Sequence, residues 1–243
     1  MEYDLATYAP GGAPKPAKFT FHAAPLVSCL MVTRGSEALM RQAIACFQAQ
    51  TYGRRELVVV SESSKPFARE IVARLNDPNI RYVLGPDAPL GALRNASVAA
   101  ARGDLVCQWD DDDLSHPQRL ELTISAMAAT RVDAVFLARV TLWWPERRRL
   151  ALSEPRLWEG TMVALRGMVP PYPEYRRGED SVMMDSLRAR SRTAALDAPS
   201  AYVYRVTGQN TWDAAHFEAL FARASEDLSA EHDAKTVGWP IPA

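Results

Sequence analysis

Continuous apolar runs alternate along this chain with segments in which apolar residues recur at helical spacing. Residues 26–33 are a continuous apolar run, typical of a strand that is buried on both faces. Over residues 36–50, Leu39, Ala43 and Phe47 follow one another at four-residue intervals, which predicts an amphipathic helix. The same alternation predicts further strands over 57–61, 80–84, 105–109 and 132–143, and further helices over 66–75, 91–102 and 115–130. Strand–helix alternation with short connections predicts βαβ units, and so a Rossmann-like α/β fold with a mainly parallel central sheet flanked by helices.

Local signals predict where two of the helices begin. Ser115 followed by Gln118 has the spacing of a capping box for the helix that runs to Thr130. Asn210 or Thr211 is the predicted N-cap of a later helix.

The ends of the chain lack this alternation. Residues 1–24 are rich in proline and glycine and have no periodicity, which predicts a flexible N-terminal lead-in. Residues 225–243 are polar before a final Trp-Pro-Ile-Pro stretch and are predicted to be a C-terminal tail on the surface. We find no internal repeat and no central linker, so a single domain is predicted over 25–224.

Composition narrows the class of protein. Among 243 residues, 28 lysines and arginines nearly cancel 29 aspartates and glutamates, which argues against a nucleic-acid partner. Cys29, Cys46 and Cys107 are far apart with no CxxC pair, which argues against a disulfide framework and a zinc ribbon. No apolar run reaches the 18 or so residues of a membrane span, and the chain does not start like a secretory signal. We therefore expect a cytoplasmic protein.

Four consecutive carboxylates, residues 110–113, follow the predicted strand 105–109. In open parallel sheets, ligands bind beyond the carboxyl ends of the strands. Crowded carboxylates repel one another, and a hard divalent cation such as Mg²⁺ or Mn²⁺ relieves the repulsion. Arg94, near the start of an alanine-rich helix, suits a phosphate group. The alternatives are a solvated turn that caps the next helix and an ordinary surface arginine.

Several segments, taken together and in order, resemble the family 2 glycosyltransferases, which have the GT-A fold. They are residues 27–33, 47–52, 56–62, 91–95, 101–104, 109–113 with Pro117, and 178–180. The resemblance covers about residues 25–190 and implies a nucleotide-binding half over 25–113 and an acceptor-binding half over 114–224. It implies inverting transfer of a sugar to a glycan, a lipid-linked or another hydroxyl acceptor, with Mn²⁺ or Mg²⁺, in bacterial surface polysaccharide or glycoconjugate synthesis. The implied donor is a nucleotide-diphosphate-sugar, a UDP-sugar first, with GDP and dTDP open.

The resemblance also implies roles for residues on the donor side. Asp110 and Asp112 match the DxD metal motif. The implied donor contacts are Thr33, Glu62, Arg94, Asp110 and Asp111. Most members of the family have Asp where this chain has Glu62, which leaves the base preference open.

On the acceptor side, the resemblance implies that Asp180 is the catalytic base. Glu179 and Trp158 are the implied acceptor contacts, although the carboxylates could cap a helix and Trp158 could be a core residue. Some related enzymes have a metal-binding His where this chain has Thr207, so His216 is a candidate replacement, or else a packed or surface residue.

Two other functions remain open from the sequence. A nucleotidyltransferase would need a glycine-rich loop after the first strand, and residues 33–36 hold one glycine. A non-catalytic domain that binds a sugar nucleotide or glycan would not need Asp180. Separately, the aromatic and basic segment 143–149 suggests peripheral contact with the inner face of a membrane, or else a charged hairpin.

Overall fold

The computed structural model describes residues 4–8, 24–64 and 66–238. Its strands are β1 (Asp4–Tyr8), β2 (Val27–Val32), β3 (Arg55–Ser61), β4 (Ile80–Leu84), β5 (Leu105–Gln108), β6 (Leu114–Ser115), β7 (Ala134–Leu137), β8 (Thr141–Trp144), β9 (Arg149–Leu152), β10 (Val163–Leu165), β11 (Thr193–Asp197), β12 (Tyr202–Arg205) and β13 (Glu226–Asp227). Its α-helices are α1 (Glu37–Gln48), α2 (Pro66–Leu75), α3 (Leu90–Ala100), α4 (Arg119–Thr130), α5 (Glu179–Arg188), α6 (Ala214–Ala222) and α7 (His232–Lys235).

The larger sheet has eight strands in the order β1-β11-β7-β10-β5-β2-β3-β4. β5, β2, β3 and β4 run parallel to one another, and β11 runs parallel to β7. β10 is antiparallel to both of its neighbours, and β1 is antiparallel to β11. The prediction of a mainly parallel central sheet is confirmed.

Helices cover both faces of this sheet, as a parallel sheet of apolar strands requires. Side chains along a strand point alternately to opposite faces. In β2, Val27, Cys29 and Met31 pack with α1, α2 and α4, whereas Leu30 and Val32 pack with α3 and α5. The uninterrupted apolar run of the sequence therefore serves two separate layers of core.

The predicted long strand over 132–143 is wrong, because the chain passes there from one sheet to another. β7 belongs to the larger sheet, and β8 belongs to a second sheet in the order β13-β9-β8-β12-β6. Between them, Arg139 makes a bidentate pair with Asp197 at 2.9 and 2.7 Å. The Val140 amide donates to the Ser153 hydroxyl at 3.0 Å, which fixes the crossing.

The predicted capping box at Ser115 and Gln118 is also wrong. Ser115 lies in β6, where it pairs with Tyr202, and its hydroxyl accepts from Arg119 Nη1 at 2.9 Å. Gln118 precedes the helix but makes no capping bond through its side chain. Ser115 therefore belongs to the second sheet and does not cap the helix.

The two predicted terminal segments are only partly described. Of the lead-in, residues 4–8 form β1, and 9–23 lie outside the described residues. In the predicted tail, β13 pairs with β9, Leu228 is buried, and His232 accepts from Trp143 Nε1 at 3.0 Å. The end of the tail lies outside the described residues, and the predicted domain limits stay predictions.

The aromatic and basic segment 143–149 is engaged within the protein. Both tryptophans are buried. The three arginines form ion pairs with Glu218 and Asp233. These contacts lend no support to the predicted membrane contact. In the part of the chain that the structure describes, no helix has both the length and the apolar character of a membrane span.

Candidate active site

A cleft of about 810 Å³ opens at the carboxyl ends of the central parallel strands. β3 and β4 lie on one side of β2, and β5 lies on the other, so the strand order reverses between β2 and β5. Such a switch point is where open α/β sheets bind ligands. Thr33 follows β2, and its buried hydroxyl donates to Asp111 Oδ2 beyond β5 at 2.5 Å. The hydrogen bond joins the two strand ends below the cleft.

One end of the cleft presents a guanidinium beside a carboxylate. Arg34 donates to the Glu62 carboxylate and to the carbonyl oxygen of Ala88. All three residues line the cleft, next to Asp87. This end of the cleft therefore offers charged donor and acceptor groups side by side.

The first and last carboxylates of the acidic turn, Asp110 and Asp113, are held by hydrogen bonds, and the Tyr202 hydroxyl contacts both. Gln108 Nε2 donates to Asp110 Oδ1 at 2.8 Å. Asp113 accepts from the Tyr202 hydroxyl at 2.5 Å and from the Arg205 amide at 2.8 Å. β12 thus supports the turn from the second sheet, and these contacts fix the directions of both side chains.

Packing the carboxylates together makes them hard to ionise. Burial and the charge of Asp110 raise the pKa of Asp111 to about 6, although the hydrogen bond from Thr33 acts in the opposite direction. Burial and then the same charge raise the pKa of Asp113 to about 7. The pKa of Asp112 is raised well above its ordinary value by burial and by its three acidic neighbours. A cation placed at this turn would stabilise the ionised forms of these carboxylates.

Arg94 connects the acidic turn to α5. Its Nε donates to Glu179 Oε1 at 2.6 Å, and its Nη1 donates to Asp110 Oδ1 at 3.3 Å. Burial alone would lower the pKa of the guanidinium, but the two carboxylates raise it overall, so Arg94 stays a cation. Arg94 and Glu179, predicted as donor and acceptor contacts, are 8% and 1% exposed and are each other's partners.

Asp180 lines both the cleft and a smaller cavity of about 130 Å³. Its Oδ1 accepts from the Ser181 amide at 2.9 Å in the first turn of α5. Trp158, Glu159 and His216 line the smaller cavity. Trp158 is 4% exposed, and its indole N–H has no hydrogen-bond partner among the described residues. Its side chain is thus both a core residue and a wall of this cavity.

The predicted metal ligands are not gathered into one cluster. Within residues 4–8, 24–64 and 66–238, no three His, Cys, Asp or Glu side chains are grouped so as to hold an ion. Asp110 is turned toward Arg94, and His216 stacks on Trp212 with ring centroids 4.6 Å apart. Asp112 Oδ1 has no hydrogen-bond partner among the described residues, and it lines the cleft. Mg²⁺ usually takes one or two carboxylates and completes its shell with water and phosphate oxygens, so this donor set fits an ion shared with a phosphorylated substrate.

The predicted N-cap of α6 is wrong for a reason that concerns the site. Asp213, and not Asn210 or Thr211, accepts from the His216 amide at 3.1 Å. The Asn210 side chain instead donates from Nδ2 to Asp112 Oδ2 at 2.8 Å.

The sequence reasoning missed several residues that the structure brings to the cleft or its supports. They are Gln108, Arg176, Arg177, Tyr202, Tyr204, Arg205, Asn210 and Trp212. Most lie on β12 or the loop that follows it, and no local pattern in the sequence places that strand beside the acidic turn.

Fold and cleft define an α/β protein with its binding site at the switch point of a parallel sheet. The family model described as glycosyl transferase family 2 matches residues 28–169, more than half of the chain. The chain belongs to glycosyl transferase family 2 and is classed as a glycosyltransferase, as the resemblance implied.

Among curated relatives, the succinoglycan biosynthesis protein ExoO of Rhizobium meliloti is 26% identical over 212 residues, which are 75% of this chain and 61% of ExoO. The chain spans less than two thirds of that relative, and 11% of a chondroitin synthase from Pasteurella multocida to which it is also similar.

Two solved structures share the fold. The mannosyltransferase PcManGT from Pyrobaculum calidifontis, in complex with GDP-Man and Mn²⁺, has a TM-score of 0.62 at 17% identity, covering 95% of this chain and 69% of its own. TarS of S. aureus (residues 1–349), in complex with UDP, has a TM-score of 0.61 at 16% identity, covering 81% of this chain and 70% of its own. At such low identity the likeness concerns the fold, and it confirms the GT-A fold as a single domain.

Proposed function

We propose that this protein transfers a sugar, with inversion, from a nucleotide-diphosphate-sugar to a hydroxyl acceptor in the synthesis of a bacterial polysaccharide, with Mn²⁺ or Mg²⁺. The observation that carries the proposal is the position of Asp180. It lines both the large cleft that contains the acidic turn and the smaller cavity that contains Trp158. A base must touch the acceptor hydroxyl close to the donor, so a carboxylate that lines both spaces suits the role.

The donor nucleotide is assigned to the end of the cleft with Arg34 and Glu62. A carboxylate there accepts the ring N–H of uracil, thymine or guanine, while a guanidinium donates to their carbonyl oxygens. Adenine and cytosine present an unprotonated ring nitrogen at the corresponding edge, which a carboxylate repels. UDP-sugars are the first candidates, with GDP-sugars and dTDP-sugars next. Thr33 and Asp111 support the floor below the nucleotide.

The divalent cation is assigned to Asp112, with Asp110 in the same turn. When bound, it would supply positive charge for the leaving diphosphate, an effect worth several kcal/mol. Asp112 lines the cleft and its Oδ1 has no hydrogen-bond partner among the described residues, while Arg94 Nη1 donates to Asp110 Oδ1 at 3.3 Å. His216 contributes no ligand in this assignment, because it lines the smaller cavity and not the cleft that Asp112 lines.

The chemistry needs one proton transfer from the chain's own residues. The acceptor oxygen forms a bond to the anomeric carbon as the bond from that carbon to the diphosphate breaks. Asp180 takes the proton from the acceptor hydroxyl, and the nucleoside diphosphate leaves with the electron pair. Attack from the face opposite the leaving group inverts the anomeric centre, so no second nucleophile is needed.

The test of this role is Asp180→Asn. Asparagine keeps an oxygen for the Ser181 amide but cannot take a proton, so transfer should fall about 10²–10⁴-fold while the thermal unfolding temperature stays near that of wild type. Asp185→Asn is the matched control, since Asp185 is an exposed carboxylate on the same helix, outside both cavities. Near wild-type transfer by a folded Asp180→Asn variant would show that Asp180 is not the base.

The class of reaction is tested by what the protein releases. We expect nucleoside diphosphate to be released from one member of a panel of UDP-, GDP- and dTDP-sugars with Mn²⁺ and hydroxyl acceptors. Release of pyrophosphate would support a nucleotidyltransferase, and binding without turnover would support a non-catalytic domain. Thermal shifts with UDP, GDP and dTDP rank the bases independently of turnover, because a ligand at 100 times its Kd stabilises by about 2.7 kcal/mol.

A further inference from the structure

The loop between β12 and α6 holds one side chain of the acidic turn. Asn210 Nδ2 donates to Asp112 Oδ2 at 2.8 Å and to the carbonyl oxygen of Arg205 at 3.0 Å. Asn210 Oδ1 accepts from the amide of Thr207 at 2.8 Å and from its hydroxyl at 3.2 Å. Both ends of the amide are occupied by partners of the right polarity, so its orientation is determined by the contacts.

The same loop base fixes the main chain of the acidic turn. Arg205 Nε donates to the carbonyl oxygen of Asp112 at 2.8 Å, and the Arg205 amide donates to Asp113. Because its main chain and its Oδ2 are both held, Asp112 keeps Oδ1 as the carboxylate oxygen without a partner among the described residues. That oxygen is the one available to a cation in the cleft.

We propose that Asn210 is a positioning residue for the divalent cation, acting through Asp112. This inference rests on the proposed function, in which Asp112 ligates the cation. Asn210 does not itself ligate the ion, because its own oxygen is turned to Thr207. Thr207 occupies the position at which the family resemblance led us to expect a metal-binding histidine, and its side chain instead helps to fold the loop that presents Asn210.

The amide suits this task because it is neutral. An arginine or lysine at this place would also fix the carboxylate, but its charge would repel the incoming cation at short range. An amide N–H supports the ionised carboxylate without that repulsion. Partners of this kind orient metal ligands, and their loss commonly weakens metal affinity 10–100-fold.

The experiment measures Mn²⁺ binding directly, by titrating the full chain with Mn²⁺ in the presence of UDP and following free Mn²⁺ by electron paramagnetic resonance. Asn210→Ala should weaken Mn²⁺ binding about 10–100-fold. Asn210→Ser, which is too short to reach Asp112, is the second variant if alanine unfolds the loop, and we expect the same weakening. The control is Asn79→Ala, at an exposed asparagine before β4 outside the cleft, which should bind like wild type.

Activity supplies a second readout that a merely structural defect would not give. In Asn210→Ala, the Mn²⁺ concentration for half-maximal transfer should rise by the same factor, and kcat at saturating Mn²⁺ should return close to wild type. A Kd for Mn²⁺ within twofold of wild type would overturn the positioning role, as would a low kcat that added Mn²⁺ does not restore.

Asp112→Asn separates this inference from the function on which it rests. Loss of Mn²⁺ binding in Asp112→Asn with unchanged binding in Asn210→Ala would refute the role of Asn210 alone. Unchanged binding in Asp112→Asn, or no Mn²⁺ binding by the wild type, would overturn the assigned cation site and the positioning role together.

Discussion

The ion pair between Arg94 and Glu179 gives a prediction whose size follows from the structure. Glu179 is 1% exposed, and its Oε1 lies 2.6 Å from Arg94 Nε. At that distance the attraction is about 6 kcal/mol with an effective dielectric constant of about 20. Removing one member of a buried pair costs about 3–5 kcal/mol, since the remaining charge stays buried. Asp110 still contacts Arg94 at 3.3 Å, so we expect the lower part of that range, about 3 kcal/mol, for Glu179→Ala.

Urea unfolding, followed by the fluorescence of the tryptophans, measures this change. For a protein of this size, 3 kcal/mol corresponds to a fall of about 6–12 °C in Tm. Glu70→Ala is the control, because Glu70 pairs with Arg74 on the exposed face of α2 and its loss should cost less than about 1 kcal/mol. A loss below about 1 kcal/mol in Glu179→Ala would refute the reasoning, since a contact that weak would resemble an exposed pair.

A double variant tests whether the loss of stability comes from the charge that is left buried without its partner. In Arg94→Met with Glu179→Met, both charges are gone and apolar side chains of similar length fill the space. Replacement of a whole buried pair is often close to neutral, so the double variant should be less destabilised than the two single variants added together. Simple additivity would show that packing, and not the unpaired charge, sets the cost.

Two further predictions concern stability. In Gly91→Ala the added Cβ would lie 1.8 Å from the carbonyl oxygen of Pro173, so the free energy of unfolding in urea should fall by about 1–3 kcal/mol. The control is Gly53→Ala, which should be nearly neutral because nothing lies within 4 Å of its added Cβ. Burial raises the pKa of Glu56, but hydrogen bonds led by that from Arg81 outweigh burial, so the pKa is lowered overall. The stability that Glu56 contributes is therefore complete above pH 4.5 and is lost as the pH falls through the folded-state pKa. The difference in free energy of unfolding between wild type and Glu56→Gln should therefore shrink as the pH is lowered from 4.5, and a constant difference would contradict the assignment.

The part of the fold that could be predicted is the part in which each element has its own pattern of apolar residues. β2, β3 and β5 are buried by helices, so each reads as an apolar run that is followed by helical spacing. The second sheet was missed because its strands have two to four residues and, apart from the β8–β9 hairpin, pair with strands that are distant in the sequence. The change of sheet after β7 is marked in the sequence only by Arg139, whose partner Asp197 is 58 residues away.

The candidate site likewise has residues that a local sequence pattern predicts and residues that only tertiary contacts bring there. Thr33, Glu62 and the acidic turn could be found because they directly follow apolar strands. Tyr202 could not, since it reaches Asp113 across 89 residues and only through the pairing of β12 with β6. The candidate functional side chains directly follow predicted strands, whereas the side chains that hold them in place come from parts of the sequence far from those strands.

The buried arginines around the acidic turn bear on the proposal of an added cation. Arg94 is engaged by Asp110 and Glu179, and Arg205 holds the main chain of Asp112 and the side chain of Asp113. These guanidinium groups fix the carboxylates of the turn, whereas Arg176 and Arg177 line the same cleft. The turn therefore gathers negative charge while its own cations are engaged in holding it. In the proposed reaction, an ion that enters with the donor would supply part of the charge for the diphosphate, and the neutral amide of Asn210 leaves room for that ion at Asp112.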